Sequence, residues 1–209
     1  MEILLWEQNK HVQINDYHED NIEVFRLFWS DLQNKHRGFT VDFCYHNCYV
    51  PVDFMTEINA DVLESCIETR LSSEIFIPIN NNDYVIITAD NFEEFAKVHD
   101  DVHPPDGDMY WTSERIAEDL SKWLIYMNGD NYVLMHLGDG IAEIYTYNVL
   151  EKSVGTALIS KAAERAFNIG KTGVLCMVDD DRQGEIDMLR KVGFTACGTY
   201  VAYRAKTNA

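Results

Sequence analysis

From residue 123 onward the apolar positions recur every second residue in short runs, then shift to helical spacing. Leu124-Ile125-Tyr126-Met127 runs into Asn128-Gly129, the strongest short hairpin signal, and Tyr132 to Leu137 returns. Gly138-Asp139-Gly140 turns the chain again into Ile141 to Tyr147, so three strands form a meander. Val154, Leu158, Ala162 and Ala166 then mark one stripe of a helix from about 152 to 169, and Gly170 stops it. Val174-Leu175-Cys176-Met177-Val178 is apolar without alternation, as in a strand covered on both faces. A second helix spans roughly 182 to 192 with Ile186, Leu189 and Val192 inward, and Thr199 to Arg204 closes as a last strand.

Upstream, Tyr84 to Thr88 predicts a strand, Asn91 to His99 a helix capped by Asp90 or Asn91, and His103-Pro104-Pro105-Asp106-Gly107 a loop. Ser113 reads as the cap of a helix that runs through Trp123. In the first eighty residues, Glu23 to Gln33 and Asp61 to Leu71 read as helices, Phe39 to Tyr45 and Glu74 to Ile79 as strands. Pro78 and the polar run Asn80-Asn81-Asn82-Asp83 place a boundary near residue 82.

The 209 residues, 46% hydrophobic and 25% charged, fit an ordinary globular protein. Seventeen lysines and arginines against 35 aspartates and glutamates leave a formal charge of −18, a field that repels nucleic acid and anionic membranes. Five cysteines without regular spacing argue against a disulfide framework. The N-terminus carries no basic segment, and no apolar run approaches the ~20 residues of a membrane span, so a cytoplasmic protein is expected.

The chemistry centres on Leu150-Glu151-Lys152-Ser153-Val154-Gly155-Thr156, small and polar residues opening the first of these two helices. A helix N-terminus offers unpaired N–H groups and partial positive charge, a seat for a diphosphate. Set between a strand meander and a strand, helix and Gly193-Phe194 stop, this turn resembles the GCN5-related N-acetyltransferase superfamily over about residues 84–206. That family's phosphate turn has Arg or Gln, two variable residues, Gly, one variable residue, then Gly or Ala. On this sequence those positions are Leu150, Glu151, Lys152, Ser153, Val154 and Gly155, so Leu150 stands where a basic or amide side chain is usual and Lys152 offers the charge. The family's Asn after the buried strand falls near Arg182, and its tyrosine, which protonates the departing thiolate in many members, falls on Leu189.

The resemblance implies an α/β (α+β) fold: a mixed, mostly antiparallel central sheet flanked by helices, with splayed parallel strands in the middle. Residues 83–209 are then an acetyltransferase-like domain, and residues 1–82 an N-terminal α/β segment that reads as a decayed half-copy of the same fold. It further implies acetyl-coenzyme A as acyl donor, without a metal, and a small-molecule or peptide amine as acceptor. The pantetheine arm is expected along Glu143 to Tyr147, with Tyr145, Tyr147, Leu150, Lys152, Ser153, Val154, Gly155 and Thr156 as cofactor-binding residues. A homodimer is compatible with this reading.

Strand alternation sets Glu143, Tyr145 and Tyr147 on one face, with Ala142, Ile144 and Thr146 on the other. Glu143 among aromatics is the expected general base; Tyr145, Tyr147 and Tyr200 are candidates for the acid, with Tyr145 placed at the catalytic centre. His136 reads as a core histidine, and Asp179-Asp180-Asp181 as a helix start with solvated charge. Two other readings compete. A transferase-like module that binds the cofactor as a sensor accommodates Leu189 without an acid. A metal-binding regulator would use Cys44, His46 and Cys48, which share a strand face, with Cys66 and His36 as further donors.

Overall fold

Alternating apolar residues at His11–Asn15 and Thr40–His46 leave Val12, Ile14, Val41 and Phe43 wholly or almost wholly buried. The structure that places them is a computed structural model describing residues 2–19, 21–47, 50–80, 83–104 and 111–208. It is a mixed α/β protein with mostly antiparallel strand pairs flanked by helices, as expected. The chain forms two compact units, one of residues 1–68 with 198–209, the other of residues 69–197. The polar run near residue 82 thus lies within the span of the second unit.

In the first unit β1 (Glu2–Trp6) and β2 (His11–Asn15) form an antiparallel hairpin that the sequence reading did not anticipate. Helix α1 (Ile22–Lys35) crosses over to β3 (Thr40–His46), which lies parallel to β2. The Asn21 side chain caps α1 by accepting the Glu23 N–H at 3.0 Å. Phe25, Trp29 and Leu32, at helical spacing, join Val12, Ile14, Val41 and Phe43 in one core. A short α2 (Val52–Glu57) adds Phe54 and Met55.

Asp61–Leu71, expected as a helix, is the long strand β4. Leu63, Ile67 and Leu71 mimic a helical stripe, but β-branched Val62, Ile67 and Thr69 fit a pleated surface better. The last strand of the chain, Thr195–Lys206, pairs antiparallel with β3 from Tyr200 opposite His46 to Lys206 opposite Thr40.

The second unit holds β5 (Val85–Ile86), α3 (Phe92–Val102), α4 (Ser113–Glu118), β6 (Trp123–Asn128), β7 (Asn131–Leu137), β8 (Ile141–Asn148), α5 (Lys152–Asn168), β9 (Gly173–Asp179) and α6 (Gln183–Val192). Strands β5 to β9 lie side by side in chain order, antiparallel except for β8 and β9, which run parallel around the crossover helix α5. The hairpin at Gly129 has φ +56°, the left-handed turn that Asn-Gly predicts.

Three expectations change here. The helix begun at Ser113 ends at Glu118, because a 3₁₀ turn at Leu120–Lys122 leads into β6 at Trp123. The strand at Tyr84 to Thr88 shrinks to Val85–Ile86. Glu74 to Ile79 is not a strand: Ile77 N–H donates to the Val192 carbonyl (2.8 Å) and Ile79 N–H to Ser160 Oγ (2.9 Å), with Pro78 between them lacking an N–H. Of the expected loop at 103–107, residues 105–107 lie outside the described residues.

Candidate functional site

Cross-strand partners point to the same side of a sheet, so the pairing register fixes which residues share a face. Trp123, Ile125 and Met127 of β6 lie opposite His136, Leu134 and Tyr132 of β7. Trp123, Ile125, Met127, Leu134 and Tyr132 form one core with Phe95 of α3 and Ile116 of α4. Along β8, Glu143 faces His136 and Ile144 faces Met135, but the next pair is Thr146 with Leu134, so Tyr145 is bulged out of register.

That single extra residue overturns the expected alternation. Beyond it Thr146 shares the α3 side with Glu143, while Tyr147, opposite Val133, moves to the α5 and α6 side with Ile144. Tyr145 packs edge-on against Trp123 and Trp111, ring centroids 6.1 and 6.4 Å apart. His136 sits in the same aromatic group, 4.8 Å from Trp123, and burial followed by the nearby Lys122 holds its imidazole below 6.5.

The bulge coincides with the end of parallel pairing. Register between β8 and β9 runs from Ile141–Gly173 to Ile144–Cys176 and stops, although β8 continues to Asn148 and β9 to Asp179. Past this point lies a cavity of ≈ 420 Å³. Val102 and His103 line it from the end of α3, Thr146 to Val149 from β8 and its exit, Lys152 from α5, and Arg182, Gly184, Glu185 and Met188 from the start of α6. Glu143 and Tyr145 are not among these lining residues.

At the mouth of α5, Lys152 and Ser153 are exposed, and no side chain caps the helix from its N-cap residue Glu151. Among the described residues the amides of Lys152, Ser153 and Val154 meet no side-chain acceptor. The two amides before them are occupied: Leu150 and Glu151 both donate to Asn131 Oδ1, at 2.8 and 3.1 Å. Asn131, at the start of β7, therefore fixes the turn that presents the helix mouth.

The remaining residues of the turn face inward. Gly155 is buried, and a Cβ there would come 2.5 Å from both Val149 methyls and 3.0 Å from Met188 Sδ, so glycine is demanded by packing. Thr156 is buried and returns its hydroxyl to the Lys152 carbonyl at 2.5 Å. The Leu150 side chain is 67% exposed and lines a neighbouring ≈ 600 Å³ cavity instead. Glu94, Asp101 and Asp130 outnumber Lys97 in that cavity's lining, an environment poorly suited to a diphosphate. The smaller cavity has the cations: Lys152 Nζ rests over Gly184, and Arg182 pairs with Asp179 at 2.6 Å.

On α6 the cavity meets Glu185 and Met188, whereas Leu189 is wholly buried, so the position of the expected tyrosine does not reach the opening. A phenol arrives from β8 instead. Tyr147 Oη donates to Glu185 Oε2 at 2.5 Å, and burial first, then Cys176 and Glu185, push its pKa far above the ordinary tyrosine value. Tyr200, the other tyrosine considered, is held against Cys44 in the first unit.

His103 escaped the sequence reading, because nothing local marks a histidine beside a proline pair as facing a strand 43 residues downstream. Its Nε2 lies 3.3 Å from Thr146 Oγ1.

In the cysteine cluster, burial pushes the Cys44 thiol up to about 12. The His46 ring is engaged by Asp16 at 3.1 and 3.2 Å, the His36 ring packs on Phe39, and Cys48 lies outside the described residues.

No protein-family model matches the sequence, and no curated protein matches it. Solved structures do. The arrangement, a meander running into parallel strands that part at the mouth of a crossover helix, is shared with solved structures. It is the fold of the GCN5-related N-acetyltransferases. A GCN5-related N-acetyltransferase from Sphaerobacter thermophilus superposes with a TM-score of 0.72 at 13% identity, over 99% of this chain and 76% of that one. One from Kribbella flavida gives 0.62 at 13% identity, over 93% and 80%. A tandem GNAT protein from the clavulanic acid biosynthesis pathway gives 0.62 at 12% identity, over 96% and 76%.

Proposed function

We propose that the protein transfers an acetyl group from acetyl-coenzyme A to a primary amine by direct attack on the thioester. One observation carries this reading: registered pairing of β8 and β9 ends at Ile144–Cys176, and the gap beyond opens on the uncapped mouth of α5. The amides of Lys152, Ser153 and Val154, with the Lys152 ammonium and Arg182 guanidinium nearby, suit a diphosphate. Gly155 and Thr156 support that seat from behind by letting α5 pack closely. The backbone of β8 at Thr146 and Tyr147, which lines the cavity, is where the pantetheine arm would run.

Acetyl-coenzyme A supplies an activated acyl carbon and a thiolate leaving group. Tyr147 lines the cavity, and we assign it as the acid that protonates the departing sulfur once its hydroxyl turns from Glu185 to the thioester. In this reading Tyr147 takes the role expected of Tyr145, since Glu143 and Tyr145 are not among the residues that line the cavity.

Calorimetry with coenzyme A and measurement of free thiol release with a panel of amines test the proposal. Tyr147→Phe is expected to lower kcat about 100-fold while leaving the coenzyme A Kd within about threefold. A second reading, a cofactor-binding sensor without turnover, is favoured by the burial of Leu189 at the usual acid position. Coenzyme A binding without thiol release from any amine would select it.

A further inference from the structure

We propose that His103 is the catalytic base that takes the proton from the attacking amine, an inference that rests on the acetyl-transfer reading above. Five side chains lining the cavity ionise: His103, Tyr147, Lys152, Arg182 and Glu185. Lysine and arginine are cations and accept no proton. Tyr147 holds its own proton. Glu185 accepts the Tyr147 hydroxyl at 2.5 Å and pairs with Arg182 at 3.3 Å. His103 is left as the group with a lone pair to offer. Its Nε2 lies 3.3 Å from the Thr146 hydroxyl, which can yield that nitrogen to the amine or accept from it in the other tautomer.

The surroundings of His103 keep that lone pair available. Burial, followed by the adjacent His99, holds its imidazole below 6.5, so it is neutral at pH 7. His99 is itself fixed as the neutral ring: its Nε2–H donates to the Trp111 carbonyl at 2.9 Å, so Nδ1 accepts from the Tyr132 hydroxyl at 3.1 Å. The two rings lie 5.1 Å apart one helical turn from each other. His103 is also the C-cap of α3, its N–H donating to the His99 carbonyl at 2.7 Å. The negative end of that helix favours the imidazolium that forms on protonation. The charges around it are Asp100 and Asp101 on its own helix, Tyr147 on β8, Lys152 on α5, and Arg182 and Glu185 on α6.

The step balances. The amine nitrogen forms the C–N bond and gives its proton to His103, the C–S bond breaks with its electrons on sulfur, and sulfur takes the Tyr147 proton. The Tyr147 phenolate is then reprotonated from the imidazolium through solvent, which restores both groups.

The test compares wild type, His103→Gln and His103→Ala by initial rates of thiol release from pH 5 to 9. The acceptor is the least basic aryl amine in the panel that is turned over, and coenzyme A binding is followed separately by calorimetry. In wild type, kcat/KM is expected to fall on the acid side with a midpoint below 6.5. Both variants are expected to lose about 100-fold in kcat/KM and the acid limb with it, with coenzyme A affinity unchanged and part of the rate restored by added imidazole. Variants that keep the wild-type limb and rate overturn the assignment of His103 and leave acetyl transfer standing. Wild type that binds coenzyme A but releases no thiol overturns both turnover and the base. Wild type that fails to bind coenzyme A overturns the site itself.

Discussion

The two units use charged side chains in opposite ways. In the first, Asp42 is buried on β3 with its carboxylate saturated: Arg204 donates from Nε and Nη2 at 2.8 Å each, and His11 Nε2 lies at 2.7 Å. In the second, Lys152, Arg182, Glu185 and His103 border an opening, and α5 presents amides without a side-chain cap. Closed charge serves the fold, because both carboxylate oxygens are engaged inside the protein. Open charge beside uncapped amides has capacity left for a ligand. Counting charged residues does not separate the cases; accounting for their partners does.

The sharpest way to break this comparison is Asp42→Ala, which strands the half-buried Arg204 guanidinium and takes the acceptor from the His11 ring. A loss of about 3–5 kcal/mol in chemical denaturation is expected, without a role in coenzyme A binding. The same cluster predicts a pH dependence. Burial raises the Asp42 pKa, but hydrogen bonds from Arg204 and His11 outweigh it, and the folded-state value is depressed. Its contribution is therefore complete above the ordinary carboxylate value of about 4 and is lost as pH falls from there through the folded value. Denaturation midpoints measured from pH 6 to pH 2 should show this decline in wild type and a shallower one in Asp42→Asn.

Smaller effects are expected around the opening. Gly155→Ala forces Val149 and Met188 aside and should cost about 2 kcal/mol while also weakening coenzyme A binding, since the turn must shift. Asn131→Ala removes the shared acceptor of the Leu150 and Glu151 amides, for about 1 kcal/mol, and should speed hydrogen exchange at those two amides. Lys152→Ala should leave stability unchanged and weaken coenzyme A about two- to fivefold, an effect that shrinks in high salt. An unchanged affinity in Lys152→Ala and Gly155→Ala together would erase the distinction between the open and closed clusters.

Much of the second unit was legible because its signals are local. Asn128-Gly129 demanded a left-handed hairpin, and Gly193, with φ +108°, ends α6 as a C-cap before Phe194. The helix mouth at residues 152–154 was legible for the same reason. Features set by pairing were not. The strand at Asp61–Leu71 carries an apolar spacing that a helix shares, and only its neighbours decide for a strand. The side on which Tyr147 lies depends on a bulge that no residue type announces, since Tyr145 is an ordinary strand former. Gly155 belongs to the expected cofactor turn, and the space beside its Cα is filled by Val149 and Met188, which the sequence does not announce.

The parting of β8 and β9 bears on how far sequence and shape can diverge. An opening edged by main-chain groups asks little of side-chain identity, so its residues are free to drift while its shape persists. That accounts for a chain that superposes on the Sphaerobacter structure along 99% of its length while sharing 13% of its residues. Likeness of this kind is kept in the path of the backbone, where comparison of letters does not reach.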